Sequence, residues 1–421
     1  MIISKKYFSN KQINRKIQMS LLSLFAFSIP LLTKLSTIIL IVLAIYSLFC
    51  KKNNNFKRLP FLLFPILYIL TIIFVLFSKN IDLSLLEQRA SFIAFPIIFW
   101  ALKIEHHEYM RILKLFVLGC VTAILICFIY AFYNSFSIVN GYIFFQPVVN
   151  EEFSFFYSVV RDGNYFFSDF FSIFHQTTYF SIYLNTAIAI ILSYSLWKKH
   201  KLYLLYLILF LIGIFQLSSK AGIFTIMIIS LFFIFTNIQN ILSRLILVII
   251  IIITGVFTIV NNPRGKIMVD EFFDYGISFE PSERYGFALR LMSWNSAIEI
   301  LKKHPFLGVS IGDVQNELNK VYTEKGYKTP LEKRFNAHNQ FLQFYLEYGL
   351  IGLISTLLIL YFIVNINKHK NNDRKLNVSI FLILFFNFFY ESMINRYSGI
   401  SYILFFYYLI DCRYYNNKEI E

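Results

Sequence analysis

Four ionisable side chains border apolar tracts, where a membrane-embedded chain seldom keeps charge without a use: Arg89 in LLEQRASFIAFP, Lys220 in QLSSKAGIF, Arg290 in FALRLMSW and His338 in NAHNQF. The three cations suit a phosphorylated substrate, because anion sites are built from converging guanidinium and ammonium groups. The imidazole suits a hydroxyl. With Asn336 as helix cap, His338 falls in the first turn of the helix that follows and can accept a proton as general base. Plainer roles compete: an interfacial histidine can simply hydrogen-bond its loop, and a cation beside a span can anchor to lipid phosphates. In IFHQTTYFSIYLN, His175 is followed by Tyr179 and Tyr183 at four-residue intervals. Such a hydroxylated aromatic stripe suits either sugar stacking or an aromatic belt. Asp270, Glu271 and Asp274 offer a cation site. No D-x-D, H-E-x-x-H or P-loop pattern occurs, which disfavours an ATP-driven pump or a metal-dependent nucleotide-sugar enzyme. Neither metal nor cofactor is expected.

The solvent of these residues follows from composition. Of 421 residues, 57% are hydrophobic and 15% charged, with 50 Phe, and the mean hydropathy is +0.61. A soluble domain has about 45–50% apolar and about 25% charged residues, so an ordinary soluble domain is excluded. The cysteines Cys50, Cys120, Cys127 and Cys412 lie in or beside apolar tracts without zinc-ligand spacing. Basic residues precede an amino-terminal apolar stretch too long for a cleavable signal, which reads as a retained first span.

Apolar tracts run at about 19–32, 35–50, 59–77, 90–102, 112–133, 176–196, 202–218, 221–237, 242–260, 341–365, 376–390 and 397–411. They predict an all-α polytopic membrane protein with about 12 transmembrane helices. Pro30 favours a turn between the first two, and Pro96 makes the short fourth tilted or re-entrant. If the amino terminus is cytoplasmic and sides alternate, 22 Lys and Arg lie in cytoplasmic segments and 6 in short outer ones. The other 11 lie in the long segment 261–340, and long loops translocate largely regardless of charge. The bias places both termini in the cytoplasm and all four ionisable groups on the outer side.

The chain thus divides into a nine-span region (1–260), a long outer loop (261–340) and a three-span region (341–421). A second outer loop, 134–175, carries Glu151, Glu152, Arg161, Asp162 and Asp169. In the longer loop, Phe287, Leu291, Trp294, Ile298 and Leu301 are spaced as one face of an amphipathic helix at the membrane interface, ended by His304-Pro305 and the glycines Gly308 and Gly312.

Two stretches, RLMSWNSAIEILKKHPFLGVSIGD (290–313) and AHNQFLQFYLEYGLIG (337–352), together resemble the signature of the O-antigen ligase and O-antigen polymerase superfamily. The likeness runs from about 216 to 408. It implies a helical, metal-independent, inverting glycosyltransferase of the bacterial inner membrane that takes a glycan from undecaprenyl pyrophosphate on the periplasmic face. The acceptor would be a sugar hydroxyl, on lipid A core for a ligase or on the growing polysaccharide for a polymerase. The same resemblance makes His338 the essential histidine, Arg290 the outer-loop arginine and Arg89 a basic residue near the pyrophosphate. Lys220 departs from it, standing where the family usually has arginine and giving up bidentate phosphate binding. His175 and Tyr179 echo it weakly as substrate-binding residues. The ligase reading leads with the polymerase close behind, and a flippase is disfavoured by the lack of repeated halves and of paired Gly/Pro-interrupted spans.

Overall fold

The computed structural model describes residues 2–50, 58–145, 165–262, 269, 273, 287–365 and 371–418. The regular structure in them is helical apart from one antiparallel hairpin, Phe136–Val139 with Tyr142–Phe145. That hairpin turns on Asn140 and Gly141, both at positive φ, as a two-residue turn requires. Glu151, Glu152, Arg161 and Asp162, and the candidate cation ligands Asp270, Glu271 and Asp274, lie outside the described residues.

The twelve apolar tracts are helical over most of their length, and Ile2–Ser28 and Thr33–Leu48 are separate, with Pro30 between them. By length and composition, Leu59–Leu76, His106–Ser135, Lys220–Asn237 and Ile241–Asn261 can cross a membrane; Thr33–Leu48, Thr177–Ser193, Leu202–Leu217 and Leu350–Asn365 are shorter apolar helices. Ile241–Asn261 buries Gly255 alone, while Leu242, Ile253 and Phe257 are exposed. Apolar side chains displayed all along a helix need an apolar solvent.

The chain forms two compact units: Met1–Ile29, Thr33–Leu115 and Ile277–Glu421 make one, Pro30–Leu32 and Phe116–Gly276 the other. In the second, Thr177–Ser193 is buried along nearly its whole length. Its Ser181 sits where a Cβ on Gly222 would be, and Asn185 Nδ2 donates to the Gly222 carbonyl over 3.1 Å. In the first, helix Ser91–Trp100 buries Phe92, Phe95, Ile98 and Phe99 and packs against Thr33–Leu48, Leu59–Leu76 and Tyr397–Lys418. At 1.5 Å per residue it is about 15 Å long, against about 30 Å of hydrocarbon, so it is a piece of protein core.

Two expectations about the outer loop and the tenth tract need correction. Helix Phe287–Lys303 forms as read and ends at His304-Pro305, and Leu291 and Leu301 of the expected face are buried, but the buried face extends through Leu289, Met292, Ser293, Ser296, Ala297 and Ile300, and Ile298 stands exposed. The two serines escape an apolar-pattern search because their hydroxyls bond back to the carbonyls of Leu289 and Met292, over 3.1 and 2.9 Å. That face packs with Leu318, Val321, Tyr322, Ala337 and Leu346 in one hydrophobic cluster.

The tract 341–365 is two helices, Gln340–Tyr348 and Leu350–Asn365, broken at Gly349 with φ +65°. The break receives the turn after His304-Pro305: Leu350 N donates to Phe306 O over 3.0 Å, and Val309 N to Leu346 O over 2.8 Å. A Cβ at Gly349 would collide with Phe306 O. Gly141 also has positive φ but meets nothing within 4 Å. Gly349→Ala is therefore expected to lower the melting temperature in detergent well beyond the effect of Gly141→Ala, since it adds a backbone collision to a strain of about 1–3 kcal/mol; equal shifts would count against this role of the break.

Candidate active site

The loop before helix Gln340–Tyr348 holds His338 in an arrangement fixed at every point. Its backbone has φ +45°, an uncommon conformation for a non-glycine residue. Asn336 Oδ1 accepts from His338 N over 2.9 Å and Trp294 Nε1 donates to His338 O over 3.4 Å. The ring meets the edge of Phe335, with centroids 4.8 Å apart. The helix cap is Asn339, whose Oδ1 accepts from the amides of Phe341 and Leu342. Asn336 instead makes an Asx turn, so His338 lies just outside the helix rather than in its first turn.

His338 Nδ1 faces Glu391, 3.6 Å from Oε2. Among the described residues Nδ1 is buried without a hydrogen-bond partner, and a shift of a few tenths of an ångström would supply one. Burial pushes the Glu391 carboxyl up, but the adjacent His338 imidazole and the guanidinium groups of Arg290 and Arg396 outweigh it, leaving Glu391 below its ordinary value. Arg290 is held beside it, Nε donating to Tyr390 O over 3.1 Å. Arg396 is exposed. Segment 390–396 is fastened to the histidine loop by Gln340, whose Oε1 accepts from Ile394 N over 2.8 Å, and by Ser392 Oγ, 3.4 Å from Asn336 Oδ1.

Arg89 reaches the same segment from the other side, with Nη2 3.4 Å from Asn395 Oδ1. It is not a cation presented to a ligand. Only 1% exposed, it is paired with Glu347 over 2.6 Å, bonds Tyr348 OH, and lies over the rings of Phe344 and Tyr348. Glu347 also accepts from Gln343 Nε2 over 2.8 Å, and Gln343 Oε1 accepts from Ala337 N over 3.1 Å. Arg89 is thus tied to the backbone beside His338, and its expected place at a phosphate is corrected to one that supports the loop.

In the other unit, Lys220 opens helix Lys220–Asn237 behind Ser219, whose Oγ accepts from Gly222 N. Asn262 Nδ2 steadies the preceding turn at Phe215 O and Ser218 Oγ, both over 3.1 Å. His175 is buried with its ring on Tyr183, and Tyr179 and Tyr183 are buried inside the unit. The stripe read as a sugar platform is core packing, because the helix carrying it is covered on nearly all sides.

Residues 204–357 match the family model described as O-Antigen ligase. Over that segment the chain is similar to the O-antigen ligase family. Family and apolar helices together make it a multi-pass membrane protein, and the family implies glycosyltransferase-like ligase or polymerase activity on lipid-linked polysaccharide. No curated protein matches the chain. The segment matching the ligase family holds Lys220, Arg290, His338 and Glu347 but not Arg89, Glu391 or Arg396. Sequence reasoning missed Glu391, although YESMIN shows a lone carboxylate between two apolar tracts. Among the described residues no cluster of His, Cys, Asp or Glu is arranged to hold a metal.

Two tests follow from these contacts. Arg89→Met leaves Glu347 buried without its cation and is expected to cost about 3–5 kcal/mol, while Arg89→Met with Glu347→Leu removes both charges and recovers most of it. Detergent melting curves decide this, and a double variant no better than the single would show the pair is not the cause. For Glu391, a folded value below the unfolded one gives stability that is complete above the ordinary carboxylate range and lost as pH falls through the lowered value. The melting-temperature gap between wild type and Glu391→Gln is expected to be widest near neutral pH and to close as pH falls through the lowered Glu391 value; a gap independent of pH would refute it.

Proposed function

We propose that the protein transfers a glycan from undecaprenyl pyrophosphate to a sugar hydroxyl at the periplasmic face of the bacterial inner membrane, with both termini in the cytoplasm. The observation that carries this reading is the meeting of His338 with Glu391, Arg290 and Arg396 around segment 390–396. His338 accepts the proton of the acceptor hydroxyl as its oxygen attacks the anomeric carbon. The bond from that carbon to the pyrophosphate oxygen breaks with inversion, and the electron pair leaves on undecaprenyl pyrophosphate. Glu391 orients the ring and stabilises the imidazolium that forms. Arg290 and exposed Arg396 balance the charge of the departing phosphate, a task that asks for no metal. Lys220 is a further candidate for the donor's phosphates.

Lipid A core is the acceptor we favour, which makes the protein a ligase. A polymerase passing the glycan to the growing polysaccharide uses the same donor and the same residues, and is the second reading. The two differ in what a deletion strain accumulates: long polyprenyl-linked glycans for a ligase, single repeats for a polymerase.

In an assay with an undecaprenyl-pyrophosphate-linked donor, His338→Ala is expected to lose about 100- to 10,000-fold in turnover. Arg290→Ala is expected to fall strongly, and Arg290→Lys to recover only part, because ammonium restores charge without the guanidinium fork. Near-normal turnover in folded His338→Ala would reject the general base.

A further inference from the structure

A cleft of about 430 Å³ lies between the end of helix Leu59–Leu76 and helix Val314–Glu324, lined by Lys79, Asn80, Asn316, Asn319, Lys320 and Thr323, with Asp313 and Glu317 completing it. Its size falls within the ordinary range of about 300–1,000 Å³ for small-molecule sites. The cleft is built in advance. Asp313 accepts from Lys79 N, Asn80 N and Asn80 Nδ2 over 2.8, 3.1 and 2.7 Å. Ser78 Oγ and Ser310 Oγ lie 2.8 Å apart, and a Cβ on Gly312 would strike Asn80 O.

The chemistry of the walls selects a ligand class. No lining residue is apolar, which disfavours a lipid chain. The formal charges balance, Lys79 and Lys320 against Asp313 and Glu317, with Asp313 engaged by the three N–H groups and Glu317 paired with Lys320 over 2.6 Å, so neither a pyrophosphate nor a cation finds an excess of opposite charge. Beside the Lys79 ammonium, what is left is amide and hydroxyl: Asn80 Oδ1, the Asn316 amide, Asn319 Nδ2 and the lone pairs of Thr323 Oγ1, since Asn80 Nδ2, Asn319 Oδ1 and the Thr323 hydroxyl hydrogen are engaged by Asp313, Gln315 and the Asn319 carbonyl; such groups exchange hydrogen bonds with a neutral polyol. Helix Val314–Glu324 also joins the cleft to the candidate active site. Asn316, Asn319 and Thr323 share the cleft face, while Gln315 Nε2 and Tyr322 OH donate to Phe335 O over 3.3 and 3.2 Å. Phe335 packs on the His338 ring.

We propose that this cleft is a saccharide subsite, holding a neutral, hydroxyl-rich stretch of one of the two glycan substrates at a fixed offset from His338. The proposal rests on the glycan-transfer reading for its ligand and adds to it a place where the glycan is gripped. In lipid nanodiscs, saturation-transfer NMR with oligosaccharides released by mild acid from the source strain's surface polysaccharide is expected to show binding to wild type and to His338→Ala. That binding is expected to be lost in Asn316→Leu with Thr323→Leu, whose side chains are exposed. Asn316→Asp, which places an unbalanced charge in the cleft, is a milder second variant. In the transfer assay the cleft variants are expected to raise one KM about tenfold with kcat within about twofold. A raised acceptor KM assigns the cleft to the acceptor, a raised donor KM to the donor glycan. Binding and both KM values unchanged in folded cleft variants would overturn the subsite while leaving the transfer reading intact. Cleft-dependent binding by a wild type that transfers nothing would do the reverse, and a wild type that neither binds nor transfers would remove both.

Discussion

The pairing of Arg89 with Glu347 is the contact on which the candidate site depends. Taking two opposite charges out of solvent is unfavourable unless their remaining valences are met, and here most are: Glu347 also accepts from Gln343, while Arg89 bonds Tyr348 and reaches Asn395. The pair joins parts of the chain 258 residues apart. It fixes helix Gln340–Tyr348 against the end of the short helix Ser84–Gln88 and against segment 390–396. Through Gln343 it reaches the Ala337 amide, next to the histidine. An apolar pair could fill the same volume, but it could not specify which carbonyl, amide and carboxylate face one another. In this molecule that specificity ends at the loop carrying His338.

Much of the fold was legible because the apolar tracts are long and the breaks between them are marked by Pro30, His304-Pro305 and basic clusters. The twelve tracts are helical over most of their length. What the sequence concealed was pairing. Arg89 and Glu347 each look like an isolated charge beside a span, and only the tertiary structure shows that one neutralises the other. Glu391 was visible as a lone carboxylate, but its relation to His338 depends on the start of helix Gln340–Tyr348 meeting the end of helix Asn371–Tyr390. The stripe of Tyr179 and Tyr183 failed for the opposite reason: helical spacing of aromatic residues arises equally from core packing, and these two are buried. The Asn-Gly hairpin signal at 140–141 was local and sufficient, yet the aromatic richness of its flanks hid it within a loop.

The interruption at Gly349 explains why a stretch as apolar as 341–365 does not run as one helix. Main-chain groups freed at a break inside an apolar region need partners from protein, and the turn at 306–309 provides them through Phe306 O and Val309 N. The loop that carries helix Phe287–Lys303 is thereby locked to the helix following His338. Trp294 and Arg290, both on that helix, then hold the His338 carbonyl and the Tyr390 carbonyl. The EYGLIG sequence was readable as the start of a span. That it is instead a socket for a turn follows only from the positive φ at Gly349 and the carbonyl standing where a side chain would be.

The charges around segment 390–396 can be weighed on the proposed reading. A carboxylate beside an imidazole favours the imidazolium that proton transfer produces, but by itself it would repel an anionic leaving group. Two guanidinium groups near the same carboxylate reverse that balance. With one negative charge buried and two positive charges at least partly exposed, the local field favours a phosphate outside while the carboxylate acts on the ring inside. Removing Glu391 would therefore leave the site more attractive to phosphate and less able to hold a proton on His338. In such a site tighter donor binding and slower transfer arise from the same change, because binding and proton acceptance draw on opposite faces of one charge cluster.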